Sequence, residues 1–391
     1  TTLFRSHNFC ADAFSNGAVL ALTTKVVDQP CVVVSDVMQA VADLAKFARV
    51  QLENLTVIGI TGSQGKTTTK DLLNYILSSV GETVAPVGSF NNELGVPLTI
   101  LECNEQTKYC IVEMGARHIG DISALCKIAK PSIGAVLKVG NAHIGEFGSR
   151  EAIAQAKSEL ITSLVSGGTA ILGTYDQFTP AMKVADGVAV LTFGERSDCN
   201  VRAADVEIRE GRPHFDLVTK SGRAAVGMRL VGLHQIPNAL AAAAISSALG
   251  LSVDQIAGAL SMAELASKWR REIFELEGRL MINDSYNANP ESMAAALRTL
   301  ALFAQERGGS AWAVLGKMHE LGPSEKSDHA DIGKLVNDLA IDHLITVSAP
   351  SYGQGVPSNS ETKVHEFLDK DSVVLLLNEM QPGDVLLVKA S

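Results

Sequence analysis

The chain has 391 residues, 46% of them hydrophobic and 5% aromatic, and a formal net charge of −10. That length can bury two or three separate cores, and so few aromatics suit α/β layers better than a β-sandwich. The acidic balance excludes a surface of clustered Lys and Arg built for phosphate backbones, so no nucleic-acid partner is expected.

Taken in chain order, residues 1–52 read as a small αβ segment: HNFCADAFSNGA looks helical, VLAL and PCVVVS look like strands, and DVMQAVADLAKFARV has helical period. The next unit, 53–266, opens with a short buried strand, LTVIGI, then a Gly-rich turn and the helix KTTTKDLLNYILSSV. TKYCIVEMGA and PSIGAVLKVG are further strands, 201–208, 213–219 and 223–230 suggest antiparallel strands, and NALAAAAISSALG is a helix. The third unit, 267–391, alternates RLMIND, ESMAAALRTLALFAQER, AWAVLG, KSDHADIGKLVNDLA, DHLITVS and GDVLLVKA, a pattern that predicts a parallel doubly wound sheet. SAPSYGQGVPSNSET (348–362) is the expected mobile loop. Cys10, Cys31, Cys103, Cys110, Cys126 and Cys199 form no CxxC pair and read as reduced core residues, which with the absence of a visible signal peptide or apolar span predicts a cytoplasmic protein.

VIGITGSQGKTTTKD (57–71) sets glycines between a strand and a helix, which aims backbone N–H groups and the positive helix end at phosphate oxygens. Lys66 then reaches the terminal phosphates and the Thr67 hydroxyl can ligate Mg²⁺. The strict phosphate-loop pattern is not met, since Ile60 stands where its first Gly would be. Glu113 ends an apolar strand, where a carboxylate needs either a buried ion-pair partner or a metal. Lys157 falls on the apolar stripe of Ile153, Leu160, Ile161 and Leu164; it either snorkels to solvent or has a depressed pKa. His143 follows a strand end, Asn238 begins a helix after Pro237, and NDSYNANP (283–290) has the composition of a turn.

TGSQGKTTTKD resembles the phosphate loop of the Mur ligases and folylpolyglutamate synthases, and SFNNELGVPLT (89–99) and INDSYNANPESM (282–293) resemble the MurF-type members. The match runs over nearly the whole chain. It implies an α/β, three-domain architecture: a UDP-substrate-binding N-terminal domain (1–52, apparently truncated at its front), a central P-loop ATPase (53–266) and a Rossmann-like C-terminal domain (267–391). The implied reaction joins D-alanyl-D-alanine to a UDP-muramoyl tripeptide, ATP first phosphorylating the tripeptide carboxylate. The resemblance places ATP on Thr61, Gly62, Ser63, Gln64, Gly65, Lys66, Thr67 and Thr68. It adds Asn238 near the adenine, Arg270 (with Arg271 as competitor) near the γ-phosphate, Asp284 on the ribose, and Tyr286 and Asn287 beside the base. Two Mg²⁺ ions fall to Thr67, Glu113, His143 and Lys157, the last carbamylated by CO₂ in several family members; Glu146 is a weaker candidate. Asn91 and Asn92 would face the peptide end of the UDP-substrate. A monomer without a membrane span is expected. Departures are Gln235 for Asn, Lys317 for an acid in AWAVLGKMHELG, and the ending KAS where the family continues KGSR. Two alternatives stay open: another ligase of the family, or a non-catalytic phosphate-loop relative.

Overall fold

A computed structural model describes residues 7–86, 88–209, 211–264 and 272–391. The first unit comprises α1 (Cys10–Ser15), β1 (Ala21–Thr23), β2 (Cys31–Val33) and α2 (Val37–Gln51). The two strands pair in parallel, and Asp36 caps α2 by accepting from Gln39 N–H at 3.1 Å. Val41 and Ala45 turn inward, and Arg49 donates to the Ala129 carbonyl at 3.1 Å, fastening α2 to the next unit.

The central unit runs β3 (Thr56–Thr61), α3 (Lys66–Ser78), β4 (Thr83–Val84), α4 (Gly95–Leu101), β5 (Tyr109–Glu113), α5 (Asp121–Ala129), β6 (Ile133–Val136), α6 (Ile144–Phe147), α7 (Arg150–Thr162) and β7 (Thr169–Gly173). It continues with β8 (Ala189–Gly194), β9 (Val201–Arg209), β10 (Arg212–Thr219), β11 (Gly222–Gly227), α8 (Gln235–Ala248) and α9 (Val253–Met262). Its nine strands lie in the order β11-β10-β9-β8-β7-β6-β3-β5-β4, with only β9–β10 and β10–β11 antiparallel. The unbroken apolar runs of β3, β5 and β6 follow from burial on both faces, as parallel strands between helix layers require. In α8 the run Ala241–Ala244 is fully buried, because methyl side chains let the helix lie close to the sheet. The chain passes from β3 out to β4, returns to β5, then crosses to β6 on the other flank of β3. The strand order thus reverses around β3, where ligand crevices form outside the carboxyl ends of parallel strands.

The last unit comprises β12 (Glu272–Leu276), β13 (Arg279–Asn283), α10 (Pro290–Arg307), β14 (Ala311–Leu315), α11 (Glu325–Asp338), β15 (His343–Val347), β16 (Lys363–Phe367), α12 (Asp371–Leu377) and β17 (Val385–Lys389). Its sheet order is β12-β13-β17-β14-β15-β16, parallel except for the β12–β13 hairpin. The stretch expected as a loose loop is partly built in: residues 350–355 form a 3₁₀ turn, Tyr352 is wholly buried, and its hydroxyl donates to the Gly316 carbonyl at 2.9 Å. Gly, Pro and Ser hid one aromatic anchor. Among the described residues no helix is long and apolar enough to cross a membrane, and all six cysteines are free.

Candidate active site

Register brings the site together before any side chain is considered. Ile60 pairs with Glu113 and Thr61 with Val136, so the turn after β3, the end of β5 and the exit of β6 share one edge of the sheet. The turn needs Gly65: it caps α3 in the left-handed region (φ 83°), and a Cβ there would collide with Asn238 Oδ1. Lys66 opens the thirteen-residue α3, and its Nζ donates to the Gly62 carbonyl at 2.9 Å across the turn. Ser63 ties the turn to the β6 exit, its N–H donating to the Lys138 carbonyl and its hydroxyl accepting from Gly140 N–H, both at 2.9 Å. Thr61, expected among the nucleotide contacts, instead has its side chain inside the sheet. It is fully buried, and its hydroxyl donates to the Met114 carbonyl at 2.8 Å.

Glu113 is almost wholly buried and forms no ion pair with a cation among the described residues. It accepts from Thr67 Oγ1 at 2.7 Å and from Asn91 Nδ2 at 2.9 Å. Because the Thr67 proton points to Glu113, the Ser89 hydroxyl 2.8 Å away donates to Thr67. Ser89 belongs to the same sequence motif as Asn91 but carries no signal of its own there. Asn91, expected to face a substrate peptide, turns to the Glu113 carboxylate, while Asn92 Oδ1 accepts at 3.0 Å from the N–H of Gly95, the first residue of α4. Behind this loop the buried Lys70 donates to the carbonyls of Pro86 (2.5 Å) and Gly88 (3.0 Å) and pairs with Asp71 at 3.0 Å.

Lys157 lies on α7, whose inner face also buries Ile153, Ala156, Leu160 and Ile161. It is 4% exposed, so it does not snorkel. Burial, and then the charge of Lys66, push its pKa down to about 7, which leaves a large fraction of free amine at neutral pH. His143, at φ 62° before α6, is held below the ordinary histidine range by burial and by Lys66, against the opposing pull of Glu320. Its Nδ1 bonds Glu320 Oε2 of the C-terminal unit.

That unit closes the other wall. Asn289 caps α10 in a reciprocal box with Ser292 and accepts from Gln64 Nε2 at 3.1 Å, while Glu291 accepts from the same nitrogen at 2.7 Å and pairs with Lys138 at 3.3 Å. Asp284 is bound by the buried Lys389 at 2.7 Å, which also donates to the Asn287 carbonyl at 2.7 Å. Lys389 was not singled out in the sequence; a lysine in the apolar strand LLVKA was the available signal. Asn238 donates to Gln235 Oε1 at 3.0 Å, and Tyr286 remains 41% exposed at the rim. Lys317, the inverted charge, pairs with Glu325 at 2.8 Å. Arg270 and Arg271 lie outside the described residues. Lys66, Thr67, Thr68, Glu113, His143, Lys157, Asp284 and Tyr286 all line one cavity of about 850 Å³.

Comparison with known proteins places this geometry. Residues 60–246 match the Mur ligase middle domain, and residues 269–391 match the Mur ligase, glutamate ligase domain. The UDP-N-acetylmuramoyl-tripeptide--D-alanyl-D-alanine ligase of Mycobacterium tuberculosis is 40% identical over 98% of this chain and 84% of its own. The chain belongs to the Mur ligase family. MurF from Acinetobacter baumannii superposes on this Mur ligase with a TM-score of 0.87 at 34% identity, covering 99% of this chain and 84% of that one. MurF ligase from Thermotoga maritima, solved in complex with ADP, gives 0.81 at 28% identity, covering 98% and 88%.

No group of three or more His, Cys, Asp or Glu stands close enough to hold a metal among the described residues. Thr67 and Glu113 nevertheless present oxygens beside the glycine turn, which suits a hard cation that takes its remaining ligands from phosphate and water. Of the residues lining the cavity, the Thr67 and Glu113 oxygens are the pair whose chemistry fits such a cation.

Proposed function

We propose that this Mur ligase uses ATP to join D-alanyl-D-alanine to a UDP-N-acetylmuramoyl tripeptide, an amide ligation in peptidoglycan precursor synthesis. The observation that carries the reading is the chain Ser89–Thr67–Glu113–Asn91 at the head of the glycine turn, with the buried Lys157 amine in the same cavity.

The chemistry brings two anions together, a carboxylate and the ATP tail, so their repulsion must be offset. Lys66 and the N–H groups opening α3 supply positive potential in a cleft walled by protein. Two Mg²⁺ ions, when bound, would add the remaining charge compensation; Thr67 and Glu113 are the proposed ligands of one, and His143 and Lys157 of the other. Lys157 serves that role best as a carbamate: its free amine bonds to CO₂ carbon and releases one proton, turning a cationic side chain into an oxygen donor. A pKa near 7 supports this, since only the unprotonated amine reacts.

On the nucleotide side Asp284 is assigned to the ribose and Tyr286, Asn287 and Asn238 to the base, with Arg270 over the phosphates. Lys389 holds the Asp284–Asn287 turn in shape from below. The tripeptide carboxylate attacks the γ-phosphorus and ADP leaves. The dipeptide amine then attacks the acyl carbon, phosphate departs, and the amine loses a proton. Little acid–base help is needed in the first step; the second depends on holding the amine in line and excluding water, the work of the apposed C-terminal unit.

Phosphate release from ATP, assayed with each substrate omitted in turn, tests the reading. Release should require both the UDP-muramoyl tripeptide and D-alanyl-D-alanine, with a product heavier by one dipeptide residue pair. Release with neither present, or ligation of a diamino acid or glutamate instead, rejects it.

A further inference from the structure

One side chain of the C-terminal unit meets two groups of the central unit beside the cavity. Glu320 stands in the loop between β14 and α11 with φ 60°, a left-handed conformation that a glutamate adopts only when its surroundings hold it there. Its carboxylate divides between two groups of the central unit: Oε1 accepts from Arg117 Nη2 at 3.1 Å, and Oε2 bonds His143 Nδ1. The backbones fit as closely as the side chains. A Cβ on Gly145 would lie 2.8 Å from Gly322 N and 2.9 Å from Glu320 O, so a glycine on the central side is what lets the loop approach.

A carboxylate facing one imidazole nitrogen keeps the proton there and leaves the other as a lone pair. With Glu320 on Nδ1, Nε2 is the nitrogen left to accept or ligate. His143 itself sits at φ 62° and starts a helix of only four residues, so little in its own element fixes the ring.

We propose that Glu320 is a positioning residue: docking of the C-terminal loop sets the tautomer and orientation of His143, so that this part of the central site is completed only when the two units are apposed. Arg117 holds the second carboxylate oxygen and stops Glu320 from rotating away. The consequence is order. A nucleotide bound to the central unit alone meets an unset histidine, and turnover waits for the loop to arrive. The inference deepens the proposed function and rests on His143 belonging to the site.

The test uses the full chain, labelled with ¹⁵N-histidine and free of metal and nucleotide, the His143 resonances being assigned by their loss in His143→Gln. The wild type should show the Nδ1–H tautomer at His143. Glu320→Ala should shift that signal toward the Nε2–H form and lower kcat about 10- to 100-fold, as loss of a carboxylate behind a working histidine does, with nucleotide affinity unchanged. Glu320→Gln keeps an oxygen that accepts from Nδ1–H and should fall between the two. It carries the test alone if the alanine variant does not fold. Wild-type ¹⁵N shifts and kcat in these variants overturn the inference. His143→Ala, assayed in parallel, separates the failures: if it is inactive while the Glu320 variants behave as wild type, only the positioning role is lost. If His143→Ala keeps wild-type kcat, the site assignment beneath it falls too.

Discussion

At Lys157, stability and the chemistry proposed for the residue pull in opposite directions. Its folded pKa of about 7 lies below its ordinary value of 10.5, so between those values the unfolded chain binds more protons than the native one. Stability from this group is therefore present above pH 10.5 and lost as pH falls toward 7, where burying a charge costs most. Replacing it by an apolar side chain of similar length removes that cost. In bicarbonate-free buffer, Lys157→Met should be more stable than wild type by about 1–3 kcal/mol at pH 7, the gap narrowing toward pH 10. Chemical denaturation across pH measures it. The same variant should lose ligase activity. A destabilised Lys157→Met would mean that the amine has a partner in solution. A stabilised and active one would remove Lys157 from the mechanism.

Among the elements, the glycine turn and α3 make the clearest case. Gly65 meets two demands at once, a left-handed backbone and contact with the Asn238 amide of α8. Gly65→Ala should cost about 1–2 kcal/mol from the backbone alone, and more from the collision. Because the turn must shift, ATP affinity should fall by about tenfold or more, each tenfold being 1.4 kcal/mol. Thermal unfolding and equilibrium nucleotide binding check both parts, and a normal affinity would show that the turn does not cradle phosphate. Elements with one strong period or one unbroken apolar run were legible in the chain: β3, β5, α7, α8, α10 and β14 stand where TVIGIT, YCIVE and their counterparts suggest. Others were not. β16 is KVHEF with no buried residue, and α12 opens inside LDKDSVVLLL, where a run of apolar residues fits a strand as well as a helix.

At the scale of the whole molecule, the two units meet through groups far apart in sequence: Gln64 with Glu291, His143 with Glu320, Gly145 with Gly322. Gly145→Val puts bulk against backbone, which cannot swing aside. It should hold the C-terminal unit away, raising the radius of gyration in solution scattering and lowering kcat while the isolated fold stays intact. An unchanged radius together with normal kcat would show that the loop does not dock there. The C-terminal unit also has its own pH response. Trp312, His343 and His365 stack across β14, β15 and β16, the first two rings 3.6 Å apart and parallel within 3°. Burial, then Lys363 and His365, hold His343 below its ordinary 6.5, with Asp342 and Asp384 opposing; His365 is likewise lowered by burial and Lys363 against Glu379. Native His343 therefore binds its proton later than the unfolded chain does. Its stabilising contribution is whole above pH 6.5 and is lost as pH falls through the lower folded value. The melting temperature should drop on acidification below pH 6.5, and His343→Phe, which preserves the stack, should flatten that slope; an unchanged slope would exclude His343 as the cause.

Local patterns settled what each segment would be: buried parallel strands, a glycine turn between strand and helix, a lysine on an apolar helix face, and the family those motifs resemble. Short-range sterics, burial and hydrogen bonding determine such features, and they act within a few residues of the chain. Partnership was decided only by the tertiary structure. Asn91 turned to Glu113, Thr61 into the sheet, Lys389 to Asp284 and Glu320 to His143, because a hydrogen bond is chosen by distance in space and register brings together residues that no spacing along the chain connects.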